Sequence, residues 1–92
     1  MIMKKFMVDI HLEGIDNETR MKLLPKEQEV VKELESNGTI VNNFIKLDMS
    51  GIYMVIMAND QDDVHNKLSS LPYYPYMKIV VVPIRVVNSV NQ

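Results

Sequence analysis

Two segments of this chain, Ile52-Tyr53-Met54-Val55-Ile56-Met57 and Ile79-Val80-Val81-Val82, are apolar at every position. Side chains of a strand alternate between its two faces, so a strand without polar members has no face suited to water. Both segments therefore need cover on two sides. A chain of 92 residues has room for one core, and at that size folding hides only roughly 60 to 65% of the surface the unfolded chain exposes. Whatever covers the first face leaves little to cover the second. Either another subunit packs there, or central strands of a small sheet are simply apolar and the C-terminal tail folds over them.

The remaining periodicity says what covers the first face. Phe6, Val8, Ile10 and Leu12 alternate with Met7, Asp9 and His11, the period of a strand, which stops at Glu13-Gly14. From about Asn17 to Asn37 the spacing turns helical, with Leu23, Val30 and Leu34 on one stripe, Leu24 and Val31 beside it, and Gly38 as the stop. Pro25 predicts a kink there, or a main helix that begins near it. Ile40 to Leu47 and Ile52 to Ala58 read as a hairpin around Asp48-Met49-Ser50-Gly51. Asn59 or Asp60 caps a second helix running to about Ser70 on Val64, Leu68 and Leu71, and Pro72 and Pro75 stop it. Met77 to Ile84 is the last strand, with Pro83 placing its end at an edge or bulge. The order βαββαβ predicts an α+β fold of the ferredoxin-like type: a four-stranded antiparallel sheet with two helices on one face. Residues 1–92 form a single domain with its core at about 4–84 and a tail at 85–92. With the second sheet face apolar, a homodimer or larger oligomer of the dimeric α+β barrel type is expected.

Composition removes several classes of function. Ten basic against twelve acidic residues leave a net charge of −2 and no basic field for nucleic acid. With no cysteine there is no disulfide scaffold, thiolate metal site or cysteine nucleophile. No apolar run approaches the roughly 18 residues of a membrane span, and Met1 to Lys5 leads into alternating sequence instead of a signal-peptide core. A cytoplasmic protein with no membrane partner is the expectation. No serine has a nucleophile-elbow context, and Gly14, Gly38 and Gly51 stand singly, so neither a serine triad nor a nucleotide-binding loop is encoded.

Chemistry then falls to few residues. Glu27 lies four after Leu23 and three before Val30, within the apolar stripe of the first helix, while Glu29, Glu33, Glu35, Lys26 and Lys32 lie mostly on its wet side. A carboxylate turned toward a core is desolvated, which raises its pKa toward the range of a general base. Alternatively it sits at the stripe's margin, reaching water or pairing with Arg20 or Lys46. His11 and His65 have no second ligand at metal-binding spacing, so no metal is expected. Asp9 and His11 share a strand face and are candidates for a polar pair, and His65 borders the stripe of Val64 and Leu68. Eight methionines and four tyrosines suit an adaptable apolar cavity or plain core filling.

Leu71-Pro72-Tyr73-Tyr74-Pro75-Tyr76-Met77 resembles the Leu-Pro-Leu-Phe-Pro-Tyr-Met element of the muconolactone Δ-isomerase family. The likeness extends over about residues 4 to 84: Glu27 falls on an acidic position of that family's first helix, Gly38-Thr39 on its helix stop, Tyr53 on a strand tyrosine and His65 on a histidine of some members. It implies a ferredoxin-like fold, sheet-packed oligomers that are commonly decamers, and a cofactor-free shift of a double bond in a small unsaturated lactone. Glu27 is then the base, Tyr53 and Tyr76 are hydroxyl donors to the dienolate, and His65 lines the site. Three departures stand out. Phe44-Ile45 replaces a Trp-Arg pair, Ile52 replaces an Asn, and Val86-Val87 stands where a His-Pro is usual. Losing the arginine leaves Lys46 or Lys22 to supply a cation for an anionic lactone. Two other readings share the fold: a non-catalytic oligomeric module for a small apolar ligand, and a cofactor-independent monooxygenase-like protein.

Overall fold

A computed structural model describes residues 3–85. Its core begins at β1 (Lys4–Leu12), where Phe6, Val8 and Ile10 are buried while Lys5, Met7 and Asp9 between them are only half covered. That alternation gives the sheet an inner and an outer face.

The chain then enters α1 (Asn17–Ser36), whose first turn is capped by Asp16 accepting the Thr19 N–H at 2.7 Å. This hydrogen bond also holds the Asp16 carboxyl below its usual range. The helix runs through Pro25 and does not begin there. Pro25 is exposed and Met21, four residues back, is 62% exposed, so water is available to the carbonyl that loses its amide donor. Gly38, at φ 84°, supplies the left-handed residue after the helix, and the Asn37 side chain accepts the Thr39 N–H at 3.0 Å.

Strands β2 (Ile40–Ile45) and β3 (Gly51–Ala58) form the expected hairpin. Within its turn Asp48 accepts the Ser50 N–H at 3.0 Å and Met49 takes a left-handed φ of 64°. Gly51 is required by close approach, since a Cβ there would collide with the Ile10 carbonyl oxygen of β1. Asp60 caps α2 (Gln61–Leu68) by accepting the Asp63 N–H at 2.8 Å, and Asn59 donates its own N–H to the Asp63 carboxylate at 2.9 Å. The helix stops two residues before Ser70. Ser69 and Ser70 turn their hydroxyls back onto the carbonyls of Asn66 and Lys67, a local bonding that competes with further helix. A short 3₁₀ turn (Tyr74–Tyr76) leads into β4 (Met77–Ile84).

All neighbouring strands are antiparallel, in the order β2-β3-β1-β4. β4 is thus an edge strand, which accommodates Pro83 opposite Phe6. Both helices pack on the inner face: Val30 and Leu34 of α1 and Val64 and Leu68 of α2 join Phe6, Val8, Ile10, Met54 and Ile56 in one cluster. This is the four-stranded, two-helix α+β fold that the periodicity predicts. The expected tail lies outside the described residues apart from Arg85. No helix among the described residues is long and apolar enough to cross a membrane.

Among the described residues nothing covers the outer face. Val80 is 60% exposed, Val82 48% and Tyr53 39%, while Val55 at its centre is buried by its neighbours at 8%.

Candidate active site

Glu27 is 8% exposed, with Val30 and Leu34 following on the same stripe of α1. Its partner comes from the connection between α2 and β4, where the Tyr73 N–H donates to Oε1 at 3.0 Å. The Tyr73 hydroxyl reaches back along α1 to donate to the Arg20 carbonyl at 2.7 Å. One tyrosine therefore ties the connection to the first helix at two points, 46 and 53 residues away in sequence. Burial pushes the Glu27 pKa up, and the Tyr73 N–H, which favours the charged form, offsets part of that rise. Burial and the nearby Glu27 charge likewise hold the Tyr73 phenol above its usual range. Neither Arg20 nor Lys46 forms an ion pair with Glu27.

Glu27 also borders an open groove of about 710 Å³ along one flank of α1, with Pro25, Gln28 and Val31 beside it. The charged members of its wall are Glu29, Lys32 and Glu35. A carboxylate of raised pKa at the rim of a groove is equipped to take a proton from a bound molecule and return it.

The other candidates lie elsewhere. Tyr53 and Lys46 meet on the outer face of the sheet, with Lys46 Nζ 4.8 Å from the Tyr53 ring centroid and 3.0 Å from Asp9 Oδ1. The hydrogen bond to Asp9 raises the Lys46 pKa. The sheet stands between this group and Glu27. His65, on α2, has Nδ1 3.0 Å from the Tyr74 hydroxyl, with the two rings edge to face. Tyr76 ends the 3₁₀ turn, half-buried, and its carbonyl accepts the Glu13 N–H at 2.8 Å. His11 does not pair with Asp9: its Nδ1 lies 2.8 Å from the Ser50 carbonyl. Among the described residues no three His, Asp or Glu side chains are grouped so as to hold a metal ion.

The family model of muconolactone delta-isomerase matches residues 4–89. The chain belongs to the muconolactone delta-isomerase family. In three dimensions it is similar to a crystal structure of muconolactone isomerase, with a TM-score of 0.78 and 23% identity over 96% of this chain and 95% of that one. At that identity the likeness speaks for the fold. No curated protein gives a significant match.

Membership gives the 71–77 segment a structural reading. Leu71 is buried at 1% in the core, Tyr73 holds Glu27 and Arg20, and Tyr74 holds His65, so the segment fastens both helices to the start of β4. Tyr73 is the residue that sequence reasoning missed as Glu27's partner. Its position between two prolines marked the segment, but a backbone donor carries no side-chain signature. Of the two cations expected to replace the family arginine, Lys46 and Lys22, Lys46 is turned to the opposite face and engaged by Asp9.

Proposed function

We propose that the protein is a cofactor-free isomerase that moves a double bond in a small unsaturated lactone, with Glu27 as the single acid and base. The observation that carries this reading is the desolvated Glu27 carboxylate, held by one backbone N–H beside an open groove. The base removes the proton from a carbon activated by the lactone carbonyl, the electron pair spreads into a dienolate, and the same proton returns at the far end of the conjugated system. One carboxyl group suffices for both transfers. A positioned acid/base residue of this kind contributes about 10² to 10⁴ in rate, and binding and donors to the dienolate oxygen contribute the remainder.

In this reading the Leu71–Met77 connection is the support of the base. His65 joins that support through Tyr74, and Tyr76 is part of it. Tyr53 and Lys46 belong to the outer face, whose exposed Phe44, Tyr53, Val80 and Val82 suit packing against a second copy in a homodimer or larger ring. No residue is assigned to a metal or an organic cofactor.

The test is a panel of unsaturated lactones followed by the ultraviolet change as conjugation moves. Wild-type protein turns over at least one, and Glu27→Gln, which keeps the side chain's shape and an oxygen for the Tyr73 N–H, loses about 10² to 10⁴ of that rate while remaining folded. Unchanged turnover in the variant removes Glu27 from the chemistry. A wild type that binds lactones and isomerises none supports the binding module instead.

A further inference from the structure

The buried residues of α1 are Glu27, Val30 and Leu34, all beyond Pro25. None of residues 17–24 is buried, so core packing secures the later part of the helix and not its first two turns. Pro25 has no amide to offer the Met21 carbonyl, and a helix short of that bond is free to bend there. Glu27 lies two residues past this joint.

Tyr73 spans the joint. Its hydroxyl donates to the Arg20 carbonyl at 2.7 Å and its N–H to Glu27 Oε1 at 3.0 Å. Arg20 and Glu27 are seven residues apart, about two turns, which places them on one stripe of the helix. Helix carbonyls point toward the C-terminus and side chains lean toward the N-terminus, so the two acceptors approach each other across the proline turn. One residue of the connection between α2 and β4, 8% exposed, reaches both. Among the described residues this hydroxyl makes the only hydrogen bond to residues 17–24 from beyond the helix and its cap. Burial and the Glu27 charge hold the phenol above its usual range, so it keeps the proton that the bond needs.

We infer that Tyr73 is a positioning residue, whose hydroxyl splints α1 across Pro25 and so fixes the alignment of its own N–H on the Glu27 carboxyl. The inference rests on the isomerase reading for its effect on rate, but not for its effect on Glu27 itself. With both ends held, the N–H stays in line and favours the charged form of the base against its burial. Without the hydroxyl the ring loses its hold on residues 17–24, and the N–H bond weakens as its angle departs from straight. The charged groups beside this carboxyl along the groove are Glu29, Lys32 and Glu35, all on α1. β2, which packs on α1, carries no titratable residue, and His65 of α2 meets the connection one residue on, through Tyr74.

The experiment titrates Glu27 by the NMR shift of its Cδ in the full chain, and follows turnover of the unsaturated lactone that the wild type isomerises fastest. Tyr73→Phe keeps the ring and the N–H and removes only the donor to Arg20. In this variant Glu27 is expected to titrate at higher pH than in the wild type, because the bond that favours the carboxylate is weakened. The acid limb of kcat/KM moves up with it, and kcat falls about tenfold while KM changes by less than about twofold. Adding Pro25→Ala restores the amide donor to the Met21 carbonyl and is expected to bring both the titration and kcat most of the way back. A hydroxyl that only stabilises the fold would lower the melting temperature and leave the titration in place. An unchanged or lowered Glu27 titration in Tyr73→Phe overturns the inference, as does a double variant that stays shifted, or a shifted titration with kcat unmoved. A wild type that isomerises no lactone ends the isomerase reading, while an upward shift rescued by Pro25→Ala still upholds the hold of Tyr73 on Glu27.

Discussion

The two faces of the sheet each carry a charged side chain among apolar neighbours, and they treat it in opposite ways. On the inner side Glu27 of α1 is buried, accepts the Tyr73 N–H, has no ion pair among the described residues, and has its pKa pushed up by burial. On the outer face Lys46 pairs with Asp9 in reach of water, so its charged form is favoured. Desolvation without a counter-charge makes a group that exchanges a proton, whereas an accessible pair makes a fixed dipole. The proposed base is therefore on the side where the fold supplies a backbone N–H and no counter-charge.

The strongest way to break this contrast is at the outer face, where the proposed cover is a second copy. Val80→Glu combined with Val82→Glu places like charges on two exposed positions of that face and is expected to weaken association by about 2 kcal/mol or more, since like charges brought together at an interface cost several kcal/mol. Light scattering should show monomers for the variant and an assembly for the wild type. A wild-type monomer across a concentration series would remove a second copy as the cover of the outer face.

Next in size is the junction between the two faces. Gly51→Ala forces a Cβ against the Ile10 carbonyl and is expected to cost about 1 to 3 kcal/mol as β1 and β3 move apart, measured by urea unfolding. A neutral result would show that the hairpin is free to shift on β1.

A smaller effect sharpens the contrast through pH. Because the folded-state pKa of Glu27 is raised, the native state holds its proton more tightly than the unfolded chain does. The stability this contributes is complete below the ordinary value of about 4.5 and is lost as pH rises through the folded value. Glu27→Gln should flatten the stability profile in that window, and at neutral pH it should be no less stable than the wild type, because a neutral amide is easier to bury than a charge. A variant that is less stable at pH 7 but not at pH 4 would show that the carboxylate's bond to Tyr73 outweighs its desolvation.

The smallest expected change is at the other charge. Lys46→Met removes a half-buried pair still in reach of water and should change Tm by little, since such pairs contribute at most about 1 kcal/mol. A substantial loss of stability or of isomerase activity would move Lys46 from the outer face's surface chemistry into the site.

Periodicity and turn residues by themselves determined the element order and the helix stop at Gly38, and narrowed the second cap to Asn59 or Asp60, Pro83 to an edge or bulge and Glu27 to the apolar stripe or its margin, because each depends on contacts within a few residues along the chain. The limit at Pro25 is also local: the periodicity carries a helix through it, but whether the missing hydrogen bond breaks that helix depends on water at an exposed turn. Which groups meet Glu27 was decided only in three dimensions. Arg20 and Lys46 are the partners that charge alone nominates, yet α1 presents the carboxylate to the Tyr73 backbone and the sheet separates it from Lys46. The same holds for Tyr53, His65 and Tyr76, which the resemblance gathers into one site and the fold distributes over an outer face, a second helix and a strand entry. Spacing along a chain tells which side of its own element a residue occupies, but the partner across the core is set by how the elements stack, and a backbone donor such as Tyr73 N–H leaves no mark in the residue alphabet.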